Sequence, residues 1–147
     1  MKRFLMSIVA CLMVACAALA QADKIVGNYS TDHNGVKSKI KIYKLDNGKY
    51  RAQVTWVSNL KMEDGSTRLD VRNPDKNKRN VPANQIVLVD GVSYDKSENV
   101  WTNGKIYDPT NGKEYKVTIS FKDDKTLKIR GYIGVEALGK TVYWKKD

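Results

Sequence analysis

A two-residue rhythm constrains this chain more than any other feature. Apolar side chains fall at alternate positions: Ile40 and Ile42; Tyr50, Ala52, Val54 and Trp56; Tyr115, Val117, Ile119 and Phe121; Leu127, Ile129, Gly131 and Ile133. Polar or amphipathic residues such as Lys39, Lys41, Arg51, Gln53, Lys116 and Lys128 fall between them. Successive strand residues point to opposite faces, so each segment predicts a strand with one oily and one wet face. No stretch of twelve or more residues beyond the N-terminal segment keeps a helical period. The body therefore reads as all-β.

Turn chemistry fixes how these strands pair. Asp46-Asn47-Gly48 joins the first two. A two-residue loop there would set Ile42 against Gln53, apolar against polar. A three-residue loop ending in a left-handed Gly48 pairs Ile42 with Ala52 and Ile40 with Val54, and places Tyr43 opposite Arg51 on the wet face. The same test favours a turn at Asp123-Asp124-Lys125, pairing Phe121 with Leu127 and Ile119 with Ile129. A four-residue turn at Pro109-Thr110-Asn111-Gly112 pairs Ile106 with Tyr115 and Gly104 with Val117. That register leaves Trp101 on the outer face unless a bulge near Gly104 returns it inward, and both placements stay open. Eight to ten strands result, including separate short ones at Leu69–Arg72, Ile86–Val89 and Gly91–Tyr94. Consecutive hairpins in a domain this size predict a single antiparallel up-and-down barrel, with a two-sheet sandwich as the rival architecture.

The N-terminal segment reads as an address. Lys2 and Arg3 precede an apolar run from Phe4 to Leu19, and Ala20-Gln21-Ala22 is a small-x-small pattern that suits signal peptidase. Residues 1–22 are thus expected to be a cleaved export leader and residues 23–147 one domain, periplasmic or secreted. Met13-Val14-Ala15-Cys16 offers an alternative: a lipobox in which Cys16 is acylated and anchors the protein to the outer membrane. Both cysteines, Cys11 and Cys16, lie in this segment. That excludes a disulfide scaffold, a thiol nucleophile and a thiolate zinc site from the body.

Several blocks together carry a family resemblance. They are Leu69-Asp70 with Asn73-Pro74-Asp75 and Arg79; Trp101 with Gly104-Lys105-Ile106-Tyr107-Asp108-Pro109; Gly112-Lys113 with Tyr115; Leu127 with Arg130-Gly131-Tyr132-Ile133-Gly134; and Leu138-Gly139 with Thr141 and Trp144. In their order and spacing they resemble the bacterial exported family catalogued as domain of unknown function 2147. The resemblance covers nearly the whole body and implies a small barrel of the lipocalin-like (calycin) type. It implies no activity. Two departures are visible: Lys146 stands where the family often has Arg, and Gly27-Asn28-Tyr29 has Tyr where true lipocalins have Trp.

The candidate chemistry is sparse. Asp70, Asn73 and Asp75 offer oxygen ligands, but the spacing is not that of a calcium loop, and an Asn-Pro-Asp turn explains them. His33, the single histidine, precedes Asn34-Gly35 in a predicted turn and cannot form a zinc site alone. No nucleophile–base pair or placed carboxylate pair is readable, so no metal, cofactor or catalytic residue is expected. The aromatic content favours binding instead: Tyr50, Trp56 and Tyr115 are expected to line a barrel wall, with Trp101 beside them. The polar, turn-rich stretch Ser58–Gln85 is expected to form a rim bearing Asp70, Asn73, Asp75 and Arg79. An enzyme would need a polar cluster inside the cavity around Asp70, Arg79, Tyr107 or Arg130.

The formal charge is +10, two of it from Lys2 and Arg3. In an exported protein this argues against nucleic acid. It directs attention to anionic envelope lipid or polysaccharide met by Lys76, Lys78 and Arg79. The leading expectation is a non-enzymatic exported barrel holding a small amphipathic or apolar molecule in its mouth. The alternatives are an envelope interaction protein using its basic surface, and an enzyme of unknown reaction.

Overall fold

Eight strands follow one another around a closed antiparallel barrel, each hydrogen-bonded to the next. The computed structural model describes residues 2–147, with side chains from Met13 onward. Helix α1 (Lys2–Asp23) leads into β1 (Gly27–His33), β2 (Val36–Lys44), β3 (Tyr50–Val57), β4 (Val87–Asp95), β5 (Val100–Asp108), β6 (Lys113–Asp123), β7 (Thr126–Tyr132) and β8 (Lys140–Lys146). β8 closes on β1 through Tyr29 opposite Lys146 and Ser30 opposite Lys145. Closure leaves no free sheet edge, so every strand's backbone finds partners on both sides.

The turn arithmetic holds strand by strand. Ile42 faces Ala52, Ile40 faces Val54 and Tyr43 faces Arg51. Gly48 adopts φ 82°, the left-handed geometry that this three-residue loop requires. Phe121 faces Leu127 and Ile119 faces Ile129. The connection itself is tighter than expected: β6 runs on to Asp123, which pairs with Thr126 after a register shift. Ile106 faces Tyr115 and Gly104 faces Val117. A register shift between Trp101 and Gly104 then returns Trp101 to the interior, where it is fully buried opposite Ile119.

Two strand expectations need correction. Ile86–Val89 and Gly91–Tyr94 are not separate strands: Val87–Val89 and Gly91–Tyr94 are parts of one, β4, continuous through Gly91, and Ile86 precedes it at the end of a 3₁₀ turn. Leu69–Arg72 is no strand: only Leu69 makes a bridge, to Pro82, because its neighbours turn back on themselves.

The interior is occupied by side chains along its length. Tyr29, Ile40, Ile42, Tyr50, Val89, Val92, Trp101, Val117, Ile119, Leu127, Ile129 and Trp144 belong to one buried cluster. Each such aliphatic or aromatic side chain contributes about 1.5–3 kcal/mol on burial. Ala22 and Ile25 cap the end where α1 joins: Ala22 O accepts the Trp101 Nε1–H at 3.0 Å, and the Tyr50 hydroxyl donates to Asp23 Oδ1 at 2.5 Å. Trp101 packs at a tilt against Tyr94, ring centres 5.0 Å apart, and meets Phe121 edge-on at 5.7 Å. The long β3–β4 connection and the β7–β8 connection both belong to the opposite end.

Candidate functional site

Alternation along β3 carries inward residues from Tyr50 to Val54 and then breaks. Ile40 pairs with Val54 but Lys39 pairs with Trp56, so Thr55 is an extra residue in the strand. Such a bulge turns the following side chain to the other face. Trp56 therefore points outward, 48% exposed, and is not part of the inner wall. This corrects the expectation drawn from simple alternation.

Around Trp56 the outer surface forms a groove of about 510 Å³, lined also by Asn28, Lys39, Ile40, Thr55 and Asp147. Trp56 gives it an aromatic side, while Ile40 borders it from the strand below, its side chain turned into the barrel interior. Its polar margin is ordered. Lys39 Nζ lies 3.2 Å from Asp147 Oδ2, the Ser30 hydroxyl donates to Asp147 Oδ1, and Asp147 N donates to Asn28 O at 2.9 Å. The Ser30 hydrogen bond, and then the Lys39 ammonium, hold the Asp147 carboxyl below the usual carboxylate range.

A second polar cluster lies on the outer wall. Tyr107 shares a strand with inward Ile106 and so faces out, yet it is buried because the 58–86 connection folds over it. Ala83, Ile86 and Tyr107 form a small apolar cluster there with Val57, Leu60, Val81 and Leu88 packed against it. At its margin the Tyr107 hydroxyl donates to Asp70 Oδ1 at 2.7 Å and Asn73 Nδ2 donates to Asp70 Oδ2 at 2.8 Å. Arg79 Nε donates to Asn73 O at 2.7 Å, and Arg72 donates to Thr110 O on the β5–β6 turn. Asp75 accepts from Asn77 N and caps the short 3₁₀ turn Lys76–Lys78. Burial first, then the Asp70 hydrogen bond and charge, push the Tyr107 phenol well above its ordinary range.

Asp70 is 3% exposed, and both its oxygens are taken by this chain. The arrangement fastens a long connection to the barrel. It offers no open face at which a substrate could meet the carboxyl group.

Comparison with known proteins bears on the same architecture. A family model described as an uncharacterized protein conserved in bacteria (DUF2147) matches residues 27–146. The chain belongs to this family. A search of curated proteins finds no match. Among solved structures, a chain described as protein HP1028 from the human pathogen Helicobacter pylori, belonging to the lipocalin family, is similar at 24% identity and a TM-score of 0.65. The likeness covers 84% of this chain and 82% of that one. At this identity it shows a shared lipocalin-like fold.

Within this DUF2147 barrel the residues singled out in the sequence fall in separate places, Trp56 in the outer groove among them. Asp70, Asn73, Arg79 and Tyr107 do come together, with Asp75 next to them, but outside the barrel wall rather than in a cavity. Tyr50 and Trp101 are buried at the α1 end, their polar atoms engaged by Asp23 and Ala22. Tyr115 is half-buried opposite Ile106, and its hydroxyl accepts from Asn111 Nδ2 at 2.9 Å. Arg130 turns to the β7–β8 connection. Cys16 is exposed on α1, while the side chain of Cys11 lies outside the described residues. No helix among the described residues is long and apolar enough to cross a membrane.

Asn28, Lys39 and Asp147 had no signal in the sequence as groove residues. Lys39 meets Trp56 only because of the Thr55 bulge. Asp147 joins them through barrel closure, 108 positions from Lys39.

Proposed function

We propose that this protein is a non-catalytic binder of a small amphipathic molecule, held in the outer groove beside Trp56 rather than inside the barrel. One observation carries the reading. Trp101 and Trp144 are buried in the packed interior, whereas Trp56 is half exposed beside a groove. An exposed indole face, with Lys39, Asn28, Thr55 and Asp147 at the margin, matches a ligand with an apolar body and a polar head. The lipocalin-like fold supports a binding role only by analogy, since fold alone does not determine function.

Export across the inner membrane belongs to the same reading. It rests on the charged start, the apolar run and Ala20-Gln21-Ala22, with Cys16 acylation as the alternative end of processing. The intact mass of protein recovered from cells distinguishes the two.

Native mass spectrometry of gently extracted protein tests the binding claim. A population heavier than the polypeptide is expected, returning to the bare mass in Trp56→Ala. Bare polypeptide in repeated preparations, or an adduct that survives Trp56→Ala, would defeat the proposal.

A further inference from the structure

The connection between β7 and β8 turns apolar side chains to solvent. Ile133 is 70% exposed, Val135 58% and Leu138 82%. Single exposed aliphatic residues are ordinary on any protein surface, but three within six residues make a patch.

This patch is not a loose loop that could fold its oily residues away. Arg130 reaches up from β7 and donates through Nε to Glu136 O and through Nη2 to Ala137 O, each at 3.0 Å; Nη1 donates to Thr141 Oγ1 at 2.8 Å. Residues Glu136–Leu138 form a 3₁₀ turn closed by Leu138 N donating to Val135 O at 3.2 Å. Gly139 then lies so close to Gly131 O and to Tyr132 that a Cβ there would overlap both. One guanidinium and one close backbone contact thus hold the aliphatic tips outward, and little further ordering is needed for them to engage a partner.

Basic residues outnumber acidic ones around the tips. β-pairing sets exposed Lys116 opposite Tyr132, and exposed Lys140 opposite Gly131. Glu136 is the one acidic residue within 133–139. We infer that Ile133, Val135 and Leu138 form a membrane-contact loop, seating this end of the barrel on an anionic lipid bilayer. The aliphatic tips enter the acyl boundary while Lys116 and Lys140 meet lipid phosphates.

A second copy of this chain fits the patch poorly, because it would bring lysines against lysines on a chain of charge +10. Three side chains are also far short of the roughly 800 Å² per partner that a stable protein interface buries. The loop lies at the end of the barrel opposite α1. This contact is therefore separate from anything the N-terminal segment does, and separate from the Trp56 groove.

Sedimentation with vesicles tests the inference, using protein as the cell yields it, with its N-terminus checked by mass so that parent and variants match. Binding to vesicles containing phosphatidylglycerol, weaker on pure phosphatidylcholine and falling as salt rises, is expected. The triple variant I133S/V135S/L138S should lose at least tenfold in bound fraction at an unchanged melting temperature. K116E/K140E should lose binding to the anionic vesicles selectively. Equal binding by parent and triple variant, or no binding by the parent, would overturn the inference. A concentration-dependent dimer that the triple variant abolishes would instead assign the patch to a second copy and would equally overturn it.

Discussion

The barrel interior and the annex folded over its outer wall are built on different chemistry. Inside, fifteen buried residues form one cluster that is almost entirely apolar or aromatic, from Ala22 to Trp144. Outside, the 58–86 connection and β5 share an apolar cluster of only three buried residues, Ala83, Ile86 and Tyr107, and rely on a carboxyl group gripped by a phenol and an amide. Burial of apolar area is non-directional and adds up over many residues. A hydrogen-bonded clasp is directional and fails when one partner is lost. The interior should therefore behave as the cooperative unit and the annex as a part that opens separately.

The largest effect is expected in the interior. Trp101→Ala removes a fully buried ring that touches Tyr94 and Phe121, and should cost about 3–5 kcal/mol in denaturant unfolding. A loss below about 1 kcal/mol would mean that the interior is not the cooperative core. In the annex, Tyr107→Phe leaves one oxygen of the buried Asp70 without its donor, at about 1–3 kcal/mol. Hydrogen exchange should then speed up across 58–86 while β6 and β7 stay protected. Uniform acceleration through the barrel would erase the distinction between the two regions.

Alkaline pH probes the interior through its tyrosines. Burial pushes the Tyr29 phenol up to about 12, and burial with the Asp23 hydrogen bond pushes Tyr50 higher. A phenol whose folded pKa lies above its unfolded value near 10 stabilises the fold fully below pH 10, and this contribution disappears as pH rises towards the folded value. Melting temperature should therefore fall between about pH 10 and 12, and Tyr29→Phe should flatten that fall. Smaller still, Gly48→Ala forces a side chain into φ 82° and should cost about 1 kcal/mol. Trp56→Ala, on the open face, should change stability by no more than about 0.5 kcal/mol while removing the ligand.

Alternation and turn chemistry were enough to read the barrel because both act locally. Ile42 against Ala52 and Phe121 against Leu127 follow from keeping oily residues on one face across a short turn. Bulges break that logic, since one extra residue reverses a side chain without altering composition. Trp101 could go either way for that reason, and Trp56 was expected on the wrong face. The annex was legible as an unusual segment and as a set of polar residues. Its placement was not, because Tyr107 and Asp70 are separated by 37 positions and only the folded barrel brings them within 2.7 Å. The groove depends on Asp147 meeting Lys39 across barrel closure, and no local pattern records such a meeting.

Fluorine NMR of protein carrying fluorotryptophan, titrated with decanoate as an amphipathic probe, asks directly where a ligand sits, because the chain has three tryptophans, two buried and one open. A saturable shift of the Trp56 resonance, with Trp101 and Trp144 unmoved, is the predicted result. Saturable shifts of Trp101 or Trp144 with Trp56 unchanged would place the probe inside the barrel and contradict the account.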